Sequence, residues 1–134
     1  LKKRLNSIHG IKLVKSRGDI AELIDIFAHY KNVFLVDACQ IEAPVGEWQR
    51  IDAHKQSVLE KNPITSTHGF GVSQAISLAK NLDQLPEKLI LYLINGQSYA
   101  MDDKISDLVF SSINLVIDSL VSEKEVQACM NTVL

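Results

Sequence analysis

A chain of 134 residues, 46% hydrophobic and 22% charged, has the length and balance of one globular domain that can bury a core. Its formal net charge of −2, with no basic stripe and only the short Lys2-Lys3-Arg4 cluster, argues against nucleic-acid or membrane-surface binding. No apolar run reaches the roughly 18–20 residues of a membrane helix. The opening does not read as a secretory leader, and Cys39 and Cys129 lack metal-ligand spacing, so reduced thiols in a cytoplasmic protein are expected.

In chain order, Leu1-Lys2-Lys3-Arg4-Leu5 reads as the last turns of a helix. An α/β sheet ordinarily begins on a strand, so a first strand and most of a first helix are expected ahead of Leu1. Ile11 to Lys15 follows as a short strand closed by Ser16-Arg17-Gly18. A helix is predicted from Asp19, with Ile20, Leu23, Ile24 and Phe27 on one face. Asp19 and Glu22 have the spacing of a capping box.

Val33 to Val36 is a β-branched and aromatic run, the signature of a strand covered on both faces. Glu47 to His54 mixes Trp48 and Ile51 with charges and suits an antiparallel edge strand. Val72, Ala75, Ile76, Ala79 and Leu82 fall at helical spacing, and Pro86 precedes Leu89 to Ile94, the strongest strand signal. A last helix carries Ile105, Leu108, Val109, Ile113, Val116, Ile117 and Leu120 on one stripe. No linker or repeat divides residues 1–134. Helices alternating with apolar strands predict a single three-layer α/β/α domain around a twisted, mostly parallel sheet. The apolar tail from Val126 to Leu134 is available to cover a neighbouring surface.

Two residues stand out chemically. Asp37 ends the Val33–Val36 run, and an unpartnered buried carboxylate there would cost several kcal/mol, so it needs a partner or a crevice. His68 stands in Thr65-Ser66-Thr67-His68-Gly69-Phe70-Gly71, just ahead of a helix, where the positive end of the helix dipole disfavours protonation. A neutral imidazole is what a metal requires. In open α/β sheets, ligands bind at strand ends and the turns after them. An aspartate and a histidine meeting there can hold a divalent metal or share a proton. The bland readings are a capping aspartate and a turn histidine.

Other candidates carry less. Gly69 and Gly71 allow a tight turn that could cradle a phosphate, but the spacing matches neither a dinucleotide fingerprint nor a Walker loop. Cys39 has no nearby cation to activate it as a nucleophile. His9, His29 and His54 are scattered singly and read as surface or helix-end residues. Trp48 beside Arg50 reads as an aromatic covering the core from an edge strand.

The order Val36-Asp37-Ala38, Pro44-Val45-Gly46, Ser66-Thr67-His68-Gly69-Phe70-Gly71 and Leu85-Pro86 resembles the hydrogenase maturation proteases over about Leu1 to Leu120. That family trims a C-terminal extension from the large subunit of nickel–iron hydrogenases. The resemblance implies a five-stranded sheet and nickel already seated in the substrate precursor. It makes Asp37 and His68 metal ligands, with Gly69 and Gly71 shaping the turn. The family's third, acidic ligand belongs to a glycine- and aspartate-rich motif absent here, so it is expected upstream of Leu1. No residue matches a general base. The alternatives are a non-cutting docking module for hydrogenase assembly and a small hydrolase or nucleotide-binding domain of similar architecture.

Overall fold

The computed structural model describes residues 10–40, 44–55, 65–66, 71–96 and 107–130. In chain order its elements are α1 (Ile20–His29), β1 (Asn32–Gln40), β2 (Trp48–Asp52), β3 (Thr65–Ser66), α2 (Gly71–Asn81), β4 (Lys88–Asn95), α3 (Asp107–Val121) and α4 (Lys124–Met130). The strands form a four-stranded sheet in the order β2-β4-β1-β3.

β4 is central because its side chains are apolar in both directions. Leu89, Leu91 and Leu93 pack on one face with Leu23 and Phe27 of α1 and Ala75, Ile76 and Ala79 of α2. Ile90, Tyr92 and Ile94 pack on the other with Val116 and Leu120 of α3. Period-two alternation turns the unbroken run into two apolar faces, each needing its own helical cover. The α/β architecture expected from the sequence is therefore present.

The sheet differs from expectation in strand direction, and four strands lie among the described residues. β1 pairs with β4 in parallel, whereas β2 pairs with β4 and β3 with β1 in antiparallel fashion. Among the described residues it is a mixed sheet rather than a mostly parallel one. The Trp48 strand is antiparallel at an edge, as its composition indicated, with the Trp48 ring 6.1 Å from that of Tyr92. Ile11 to Lys15 is not a strand. Among the described residues, no strand pairs with it. Leu13 instead packs against the Tyr92 layer, and the Lys12 ammonium lies 5.8 Å from the Tyr30 ring centroid.

At the start of α1, Asp19 accepts the Glu22 N–H at 2.9 Å, the first half of a capping box. The second half is diverted. The Glu22 carboxylate accepts the Ser16 hydroxyl at 3.1 Å and the Arg17 N–H at 3.2 Å, bracing the preceding loop. Asp19→Ala is expected to cost about 1 kcal/mol of stability, measurable by urea unfolding.

Two helical stripes are narrower than their spacing suggested. Leu82 lies beyond α2 and is 52% exposed, while Leu108 in the first turn of α3 is 62% exposed. Both stand at or just beyond an element end. Val126, expected in a tail free to cover a neighbour, is buried within this chain on α4.

One polar cluster holds this packing together. Glu123, 8% exposed, follows α3 and faces β2 and β4. It accepts Arg50 through Nε at 2.6 Å and an Nη at 3.1 Å, and the Tyr92 hydroxyl at 2.6 Å. Lys88 stands 3.4 Å from it and bonds Glu125 at 2.7 Å. Burial pushes the Glu123 carboxyl up, but the bonds from Arg50 and Tyr92 and the nearby positive charges prevail and hold it at about 2. Burial and the bond to Glu123 push the Tyr92 phenol up.

Candidate functional site

Asp37 lies inside β1 rather than at its end, because the strand continues to Gln40. In the ladder it stands beside Leu93, near the carboxyl end of β4. Val33 and Leu35 face the α1/α2 side of the sheet, so alternation sends the Asp37 side chain to that side. Its Oδ1 accepts the Ala38 N–H at 2.9 Å. Each of these helices precedes one of the two parallel strands, so both begin at the carboxyl edge of the sheet. The partial positive charge of two helix starts therefore falls on the side where a carboxylate is held.

The walls of this edge are stitched together. The Pro44–Gly46 turn after β1 is tied to the end of β4: Gly46 N–H donates to Asn95 O at 2.8 Å, and Asn95 N–H to Glu47 O at 2.8 Å. The Asn95 side-chain amide reaches Pro44 O at 3.2 Å. The Ser112 hydroxyl of α3 sits between the carbonyls of Gly46 and Leu108. Gly46 has φ +87°, and a Cβ there would stand 2.9 Å from Leu108 O and 3.1 Å from the Ser112 hydroxyl. Gly46→Ala is therefore expected to destabilise by about 1–3 kcal/mol, from left-handed strain plus overlap, read as a lower denaturation midpoint.

The short β3 brings a distant part of the chain to the same edge, with Cys39 beside Ser66 and Gln40 beside Thr65. Cys39 is thus a rung of the ladder, flanked by Ser66 and Asn95. His68 and Gly69 lie outside the described residues, as does His9. Gly71 is the first residue of α2. Its backbone is not left-handed, and what its missing side chain permits is close contact with Gly18. The structure therefore places Asp37 at the carboxyl edge and Gly71 at the start of α2. Gly18 was missed in the sequence, where it read only as the end of a strand.

The remaining histidines have ordinary partners. His54 Nε2 is 2.7 Å from Pro86 O, and His29 Nδ1 is 2.7 Å from Asp25 O in the last turn of α1. Among the described residues, no three His, Cys, Asp or Glu side chains gather as a metal-holding group. A metal at this edge would take an oxygen donor from Asp37, a suitable ligand for Ni(II), and its other donors from elsewhere. No helix among the described residues is long and apolar enough to cross a membrane.

A family model described as hydrogenase maturation protease (HycI) matches residues 1–123. The sequence has no match among curated proteins. Among solved structures, the fold is similar to the hydrogenase maturating endopeptidase HybD from E. coli, with a TM-score of 0.63 and 18% identity over 76% of this chain and 63% of that one. An endopeptidase from Escherichia coli solved in solution gives a TM-score of 0.73 and 16% identity over 90% of this chain and 76% of that one. The chain thus spans somewhat under two thirds of the HybD structure.

Proposed function

The chain belongs to the hydrogenase maturation protease family, and we propose that it is an endopeptidase that removes a C-terminal extension from the nickel-loaded large subunit of a nickel–iron hydrogenase precursor. The observation that carries this reading is Asp37, a carboxylate directly after the apolar Val33–Val36 run of β1, on the side of the sheet where α1 and α2 begin. Family membership and the likeness to two endopeptidase folds support it.

In this reading Asp37 supplies an oxygen donor and His68 a nitrogen donor to nickel that arrives as part of the substrate. Ser66, beside Cys39, precedes His68 by two residues, and Asp37 precedes Cys39 by two. Nickel held between these donors selects the loaded precursor and fixes its tail, so that water can attack one peptide bond. A third donor comes from outside the described residues or from the substrate itself.

The test mixes the protein with nickel-loaded and nickel-free precursor and follows loss of the C-terminal peptide by mass spectrometry. Cleavage of the loaded form alone, abolished by His68→Ala, is the expected result. Equal cleavage of both forms would remove the metal from the reading. Tight binding without cleavage would make the chain a docking module.

A further inference from the structure

We propose that Asn95 is a positioning residue for the cut, holding the turn at residues 44–47 as a wall along which the precursor's C-terminal segment lies; this rests on the reading above and adds to it what fixes the bond that is broken. β4 is apolar from Leu89 to Ile94 and then places a carboxamide at Asn95, which is 3% exposed. Among the described residues, the buried polar or charged ones are Asn95, Ser112 and Glu123. The first two serve the same turn. The Asn95 N–H donates to Glu47 O and its carbonyl accepts the Gly46 N–H, main-chain bonds that do not depend on the side chain. The carboxamide adds a further bond, from Nδ2 to Pro44 O at 3.2 Å. Burying a carboxamide is unfavourable without such a bond, so the residue suits this strand end by what it holds.

The turn is held from two sides. Asn95 grips it from the sheet, and the Ser112 hydroxyl of α3 grips the Gly46 carbonyl from the helix layer. The Glu47 N–H closes the turn on Pro44 O at 3.1 Å, so that carbonyl accepts from both Glu47 and the Asn95 carboxamide. Pro44 and Glu47 remain exposed, and the clamped turn therefore presents a fixed surface at the carboxyl edge. Its place relative to Asp37 follows from the ladder. Asp37 pairs with Leu93, two residues before Asn95, so the Cα atoms of Asp37 and Asn95 stand about 8 Å apart on neighbouring strands. Alternation turns both side chains to the same face. A peptide anchored at Asp37 meets this wall within about three residues. A misplacement of about 1 Å can cost on the order of a hundredfold in rate, so a wall free to shift would blur both the rate and the choice of bond. Asn95 need not touch the substrate for this; it acts through the turn.

The experiment measures kcat, KM and the mass of every released peptide on nickel-loaded precursor for the full chain, for Asn95→Leu and for Ser112→Ala, with thermal unfolding of each. Asn95→Leu is close in volume and loses the donor, while Pro44 O keeps the Glu47 N–H. Its kcat should fall at least about tenfold while KM stays within about threefold, and peptides cut at neighbouring bonds should join the wild-type product. Ser112→Ala frees the turn on its helix side and should lower kcat about twofold to fivefold, with the same spread of products. A purely structural Asn95 would lower the unfolding midpoint and leave the cut bond unchanged. The wild-type product alone from a folded Asn95→Leu therefore overturns the proposal whatever its rate, as does a rise in KM alone. If Asn95→Leu does not fold, Ser112→Ala decides by the same criterion. Precursor left intact by the wild-type chain overturns the protease reading and this inference with it; one product at one rate from wild type and both variants overturns this inference only.

Discussion

Asp37→Asn is expected to lower cleavage of nickel-loaded precursor by on the order of a hundredfold or more, while the unfolding midpoint barely moves. Asparagine has the same shape and can still accept the Ala38 N–H that Asp37 Oδ1 accepts at 2.9 Å. What it loses is the anionic oxygen donor. Disturbing groups that merely orient a metal ligand costs about 10–100-fold, so replacing a residue proposed as the ligand itself should cost at least as much. A carboxylate kept only to satisfy a neighbouring N–H would tolerate the change, and a wild-type rate in Asp37→Asn would assign it that structural role. Parallel unfolding curves for the two proteins make the rate readable as chemistry rather than as loss of fold.

Asp37 was legible in the sequence because a charge interrupting an apolar run is costly, and such costs leave a mark at the position where they occur. β4 was legible for a related reason: six apolar residues in succession fit only a strand covered on both faces, and Leu89 to Ile94 divide their side chains between two helical layers. The cap of α1 was half legible. Asp19 behaves as its spacing implied, but Glu22 had a competing choice, and the folded loop offered it Ser16 and Arg17 instead. Ile11 to Lys15 misled because a strand signal is local, whereas a strand exists only where a neighbour completes its ladder. The Gly18–Gly71 contact and the Glu123 cluster left no local mark at all. Each joins residues far apart in the sequence, and a glycine before a cap or a glutamate after a helix reads as ordinary punctuation.

Glu123→Ala is expected to destabilise the fold by about 3–5 kcal/mol, the largest effect of any single substitution considered, because it strands partners rather than removing a contact. Arg50, Lys88 and the Tyr92 hydroxyl would each lose an acceptor at the junction of β2, β4 and the end of α3. A domain of this size has about 5–15 kcal/mol in total, so urea unfolding should show a clear drop in midpoint. Acid provides an independent check through Glu123→Gln, which keeps the shape and part of the bonding but not the charge. The folded carboxyl is depressed from 4.5 to about 2. A depressed acid stabilises the fold fully above its unfolded pKa and loses that contribution as pH falls toward its folded one. A shift of that size is worth about 3 kcal/mol. The advantage of wild type over Glu123→Gln should therefore be full near neutral pH and shrink steadily below 4.5, as the wild-type carboxyl takes up its proton. A difference that stays constant down to about 2 would mean that the charge of Glu123 contributes nothing and that shape alone holds α3 and α4 on the sheet.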